Sequence, residues 1–348
     1  MRPARFIACA AVLATLAACS SSKTPASSAV PNAAAARITV RLGHFPNLTH
    51  APAIYALEKG IYAKDLGGNV TLAVTRFNAG PEEVQALFSN DLDIAFIGPS
   101  PAVNAFEKSN AVRIIAGAAS GGAALVVKPS ITTIAQLKGK ILASPQLGNT
   151  QDVALRTFLR SHGLKTTTTG SGGDVTIRPQ DNSQTLDTFK QKTVDGAWVP
   201  EPYASRLVTE DGGHVLVDEA SLWPNGRYAT TVVLVRKVFA DEHPDIVKRF
   251  LKAHVEAIDA MNANPADAQT TVNDAIAKIT GKALKPAVLT AAWQHLTFTW
   301  DPLLSTIRTS ADREKALGII ASSNINGIDD LAPLNEVLGA QGKPSVTP

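Results

Sequence analysis

Gly148, Asn149, Thr150 and Gln151 sit in PQLGNTQD (145–152), between a β-rich run, KILAS (140–144), and a helical one, VALRTFLRSH (153–162). Amide and hydroxyl side chains beside the free N–H groups of a helix start can hold the oxygens of a small anion, because that end carries about half a positive charge. Asn149 or Thr150 can also act as the N-cap alone, worth about 1 kcal/mol, and the two roles are compatible. Ser100 in GPSPA (98–102) has the same double reading. His50 and Asn47 in HFPNLTHA (44–51) are further candidates, since His50 opens an expected helix and can donate to an anion. Ser120 and Gly121, with Gly122, can let backbone approach a ligand closely or can simply turn the chain. Trp198 and Glu201 in WVPEPY (198–203) offer an aromatic wall and a carboxylate for a substrate amine; equally, Trp198 suits a core and Glu201 a helix first turn. Arg76 and Arg178 follow strands and read as solvated. No Lys or Arg lies within 145–152, so backbone amides are the expected anion receptor.

These loops need a scaffold that brings them together. From Arg37 onward, β-rich runs such as ITVRLG (38–43), VTLAVTRF (70–77) and LDIAFIG (92–98) alternate with the helical segments APAIYALEKG (51–60), PEEVQALFSN (81–90) and PAVNAFEKS (101–109). That alternation predicts α/β structure with largely parallel strands. After AVRIIAGAA (111–119) and ALVV (124–127), a second set repeats the logic with KILAS, DVTIRP (174–179), TLDTFKQK (185–192) and DGAWVPEPYA (195–204). Asp93-Ile-Ala-Phe-Ile before GPSPA echoes Asp195-Gly-Ala-Trp-Val before PEPYA, which points to two similar lobes. TTVVLVRK (230–237) reads as a strand returning to the first lobe, and PDIVKRFLKAHVEAIDAMNA (244–263) as an amphipathic helix. Further helices are expected near 265–279, 286–295 and 310–321. In such sheets ligands bind beyond the carboxyl ends of the strands, which is where the candidate loops fall.

At 348 residues the chain suits two domains of about 150. Hydrophobic content of 45% with 18% charged residues fits a globular protein rather than a disordered or membrane-embedded one. A net charge of +3, with no basic stripe interleaved with aromatics, gives no case for nucleic acid. MRPAR followed by FIACAAVLATLAA (6–18) reads as a secretory signal, too short for the roughly 20 residues of a membrane span. It ends in Leu16-Ala-Ala-Cys19, which resembles the bacterial lipobox and makes Cys19 the expected lipidated N-terminus. Cleavage there removes Cys9 and leaves no cysteine in the folded body for a disulfide, a metal site or a nucleophile. No cofactor or metal is expected, and no catalytic motif of the G-x-S-x-G, H-E-x-x-H or P-loop type is present.

Taken in order, HAPAIYALEKGIY (50–62), GPSPAVNAF (98–106), LKGKILASPQLGNTQDVALRTFL (137–159), DGAWVPEPYASRLV (195–208), TTVVLVRK and EHPDIVKRFLKAH (242–254) resemble the substrate-binding proteins of nitrate, sulfonate and taurine ABC importers. The resemblance spans roughly 40–335. It implies an α/β, two-lobed periplasmic-binding-protein type II fold: mixed, mostly parallel sheets, a double-crossing hinge and extra C-terminal helices on lobe one. The implied layout is a signal peptide (1–18), a flexible linker (19–36), lobe one (38–125 plus 233–335), lobe two (126–231) and a tail (336–348), with crossings near Leu125 to Lys128 and Thr230 to Val235. It further implies a monomeric lipoprotein, exported and anchored to the membrane at Cys19, that passes a small anionic solute to importer permease and ATPase subunits. Two other readings use the same scaffold: a membrane-tethered ligand sensor, and a thiamine-precursor-related binding protein or enzyme. The cysteine-rich run of those enzymes is missing here.

Overall fold

The structure is a computed structural model that describes residues 37–166 and 173–347. The signal, linker and lipidation expectations, Cys19 included, lie outside the described residues. Strand β1 (Ile38–His44) leads through a 3₁₀ turn (Leu48–His50) into α1 (Ala51–Glu58) and α2 (Ile61–Leu66), then β2 (Val70–Arg76) and α3 (Gly80–Phe88). Next come β3 (Ile94–Ile97), α4 (Pro99–Ser109), β4 (Val112–Gly121) and β5 (Ala123–Val127). The second unit continues with β6 (Ile141–Ser144), α5 (Thr150–Ser161), β7 (Thr176–Pro179), α6 (Asn182–Lys190), β8 (Gly196–Pro200), α7 (Tyr203–Thr209) and β9 (His214–Asp218). The chain closes with β10 (Ala229–Arg236), α8 (Lys237–Glu242), α9 (Pro244–Ala263), α10 (Pro265–Thr280), α11 (Pro286–Gln294), β11 (Leu296–Phe298), α12 (Leu304–Leu317) and α13 (Ala332–Ala340).

Two sheets result. The first runs β11-β4-β10-β3-β1-β2, and the second β7-β6-β8-β5-β9. In the first, β1 is parallel to β2 and β3, while β10 is antiparallel to β3 and β4. In the second, β6 is parallel to β7 and β8, and β5 is antiparallel to β8 and β9. Strand β10 shows why such a mixed sheet holds: Ala229 to Val235 are all buried, so the Val/Thr/Leu run can sit only at a sheet centre covered on both faces. Helix α9 covers one of those faces with Ile246, Phe250, His254 and Ile258. His254 Nε2 meets the Gly117 carbonyl at 2.7 Å, and burial holds the ring neutral by lowering its pKa to about 4.

The echo between the lobes is physical. Asp93, one residue before β3, accepts from the Arg41 amide of β1 at 2.9 Å; Asp195, one residue before β8, accepts from the Ile141 amide of β6 at 2.9 Å. Each aspartate thereby staples the start of its strand to the parallel neighbour. Asp93 is also paired with Arg41 and Arg236, and Asp195 with Lys128.

The chain changes sheet at Gly122, between β4 and β5, and returns just before Ala229. The crossings expected at Leu125–Lys128 and Thr230–Val235 fall instead largely within the paired strands β5 and β10, where a ladder leaves no freedom to turn. Gly121 and Gly122 supply that freedom, with φ of 81° and 73°. A Cβ on Gly121 would stand 2.6 Å from the His295 carbonyl oxygen, and one on Gly122 would stand 2.4 Å from Leu296. The C-terminal helices do more than cover lobe one: α12 packs on both α4 and α5, and α11 packs on α7.

Candidate functional site

The carboxyl ends of β1, β3, β6, β7 and β8 converge, and the loops and helix starts that follow them enclose a small cavity. His50, Asn47, Asn149, Thr150, Gln151 and Asn182 form its polar wall. Its free volume of about 20 Å³ is little more than one water needs, so the lobes fit closely around it. Phe45, Thr49, Asn78, Gly98, Pro200 and Thr230 complete the lining, and none of the twelve carries a formal charge near neutral pH.

Helix α5 begins at Thr150, three residues earlier than its apolar pattern indicates, with Asn149 as N-cap. The Asn149 Oδ1 accepts from the Thr150 amide at 2.7 Å. The Gln151 and Asp152 amides, in the first turn, have no intrahelical carbonyl to meet. Gly148 does not join them: its amide donates to Asp152 Oδ2 at 3.0 Å, and the residue lines an outer groove beside Ile319. Asp152 also accepts from Ser144 Oγ and from Arg156 Nε, so this buried carboxylate shapes the loop rather than the cavity.

His50 is a buried neutral donor. The Phe45 amide donates to its Nδ1 at 3.2 Å, which places the ring proton on Nε2, and the ring stacks on Phe45 at 4.2 Å. Burial, followed by the neighbouring His44, pushes its pKa well below the ordinary value. Asn47 Oδ1 accepts from Thr49 Oγ1 at 2.7 Å, which leaves the Asn47 amide nitrogen for the cavity.

Ser100 reaches the site differently. Its amide donates to Thr150 Oγ1 at 3.4 Å across the seam between the sheets. Gly98 allows this approach, because a Cβ there would lie 2.3 Å from Thr150 Oγ1. The residues on either side of Ser100 are prolines, so the start of α4 has no further amide to give.

Four expected contacts lie elsewhere. Trp198 does not wall the cleft: it is fully buried in the core of the second sheet against Phe158, and its Nε1 donates to Glu219 at 2.7 Å. Burial raises the Glu219 carboxyl to about 7 against these two indole donors, Trp198 and Trp223. Glu201 turns away from the cavity to accept from Ser205 N, Ser205 Oγ and His295 Nδ1, at 3.0, 2.9 and 2.7 Å. Ser120 and Gly121 are spent on the crossing between the sheets, where Ser120 Oγ accepts from the Tyr228 amide and the Gly121 carbonyl accepts from Thr230 Oγ1. Arg76 and Arg178 are exposed.

Asn78, Asn182 and Thr230 are the lining residues that the sequence reading passes over. Asn182 is hidden because α6 starts at 182, ahead of its first apolar position, so a polar loop reading covers it. The rule that ligands gather at strand ends pointed to it, since it follows β7. Among the described residues, no group of three or more His, Cys, Asp or Glu side chains could hold a metal ion.

The profile of the NMT1-like family matches residues 33–277. The taurine-binding periplasmic protein of Escherichia coli (strain K12) is 31% identical over 216 residues, 62% of this chain and 64% of that protein. The chain thus spans just under two thirds of that relative's length. A putative aliphatic sulfonates-binding protein of Bacillus subtilis (strain 168) is 26% identical over 71% of this chain and 73% of its own length. Among solved structures, the periplasmic nitrate-binding protein of Synechocystis PCC 6803 superposes with a TM-score of 0.74 at 17% identity, covering 89% of this chain and 92% of that one. That likeness gives the fold, the two-lobed architecture of periplasmic binding proteins.

Proposed function

We propose, from the premise that the chain belongs to the NMT1-like family, that it is an extracytoplasmic solute-binding protein that captures a small oxyanion of the sulfonate, taurine or nitrate class between its lobes and delivers it to an ABC importer. The observation that carries the reading is the cavity wall: neutral donors from both sheets, two helix starts, and no charged side chain. An anion there is held by the α5 first-turn amides, the Asn and Gln amides and the His50 Nε2–H, each stronger in a dry site than in water. The α4 turn of lobe one closes on it through the Ser100–Thr150 contact. The lobes act as bodies that rotate about the Gly121–Gly122 and Tyr228–Ala229 crossings. The periplasmic naming of the relatives supports an exported protein, and Leu16-Ala-Ala-Cys19 supports a lipid anchor at Cys19.

A thermal melt of the purified protein against sulfonates, taurine, nitrate, sulfate and bicarbonate tests this. A cognate solute at 100 times its dissociation constant adds about 2.7 kcal/mol of stability. A melt unmoved by every oxyanion contradicts the reading.

A further inference from the structure

Beside the donor-lined cavity lies a second void of similar size, and the two share Phe45, Asn47, Asn78 and Asn182. The chemistry of the second is the reverse of the first. Asp181, Phe77 and Tyr203 line it, and an acidic residue beside two aromatic ones favours a cation. Among the described residues, the carboxylate of Asp181 meets only Gln146 Nε2, at a long 3.5 Å, while that same nitrogen sits 2.6 Å from Glu82 Oε1. Asn182 lines both voids, and its Oδ1 is buried with no hydrogen-bond partner among the described residues, which is a cost of about 1–3 kcal/mol unless a donor arrives.

One end of the site therefore offers donors without charge and the other offers acceptors with negative charge. A bare anion fits the first and is repelled by the second. A ligand with an oxyanion and an ammonium joined by a short alkyl spacer satisfies both. We infer that Asp181 is a specificity-determining residue, receiving with Asn182 Oδ1 the amine of a zwitterionic aminosulfonate whose sulfonate lies in the donor-lined cavity. The inference rests on the solute-capture reading above and sharpens it. Glu201, the residue whose position in the sequence suggested this role, is excluded from it by its bonds to Ser205 and His295.

Calorimetric titration of the full-length chain with taurine, ethanesulfonate and nitrate tests it, together with Asp181→Asn. The Asp181 side chain makes no cap bond to α6 and only one long contact, to Gln146, and asparagine has its shape, so the variant is expected to melt like the parent. Taurine should bind about tenfold or more tighter than ethanesulfonate, the size of one charge-assisted hydrogen bond. In D181N that preference should fall to within about threefold. Ethanesulfonate matching taurine in the parent, or a preference that survives D181N, overturns the assignment and leaves oxyanion capture standing. Failure of all three ligands to bind overturns both.

Discussion

Two turns follow equivalent strands in the two lobes, and they have been put to different uses. After β3 comes Gly98-Pro99-Ser100-Pro101; after β8 comes Pro200-Glu201-Pro202. Both strands are stapled by an aspartate, Asp93 or Asp195, to the amide of a parallel neighbour. Beyond the strand the likeness ends. The lobe-one turn brings a bare glycine face and one amide to Thr150 across the seam, and so serves closure. The lobe-two turn gives only Pro200 to the cavity and sends its carboxylate sideways to His295, beside the Gly121–Gly122 crossing. Ligand chemistry in lobe two falls instead to the starts of α5 and α6. A shared staple thus preserves strand placement, while the residues after it are free to specialise.

The largest effect should come from the staples themselves. Asp93 is almost wholly buried and accepts from two arginines as well as the Arg41 amide. Asp93→Asn should cost about 2 kcal/mol in a denaturant titration. Burial alone would raise this carboxyl, but the bonds from Arg41 and Arg236 outweigh it and the pKa is lowered. The parental advantage is therefore complete above pH 3.8 and shrinks as pH falls through the depressed value. Asp195→Asn, at a partly exposed site with one lysine, should cost about 1 kcal/mol in the same direction. Equal losses would break the ranking of the two staples.

Gly98→Ala sharpens the contrast between the turns. Gly98 has an ordinary negative φ, so alanine is tolerated locally, yet its Cβ would collide with Thr150 Oγ1. Binding should weaken about tenfold, or about 1.4 kcal/mol; Thr150→Ala in the same chain should restore part of it. Unaltered affinity in G98A would show that the GPSPA turn does not serve closure.

The smallest effect belongs to the lobe-two turn. His295→Gln should lower stability by no more than about 1 kcal/mol, because His295 is half-exposed. The hydrogen bond to Glu201 raises the histidine pKa above 6.5. Its contribution is thus full below pH 6.5 and fades as pH rises through the raised value, so the parent and variant melts should converge in alkaline buffer.

The sequence carried the alternation of elements, the repeated Asp-x-Ala strand and the PQLGNTQD loop because each is a local pattern. It could not carry the direction in which a side chain leaves its strand. Trp198 follows the buried Ala197 in β8, and which of the two faces meets the core of the second sheet depends on α5 and Phe158, distant in sequence. Glu201 turns from the cavity for a related reason: its partner His295 is 94 residues away, at the end of α11 and just before β11 of the other sheet. The crossings were misplaced because the glycine pair reads as a loop, whereas the tight approach of His295 and Leu296 that demands it is visible only in three dimensions.

The most direct measurement is a crystal structure of the protein grown with taurine. The account predicts the sulfonate oxygens within hydrogen-bond reach of the Gln151 and Asp152 amides and His50 Nε2, with the amine toward Asp181 and Asn182. A sulfonate bound at the Glu201–His295 seam, or one held by an arginine or lysine side chain, would contradict it.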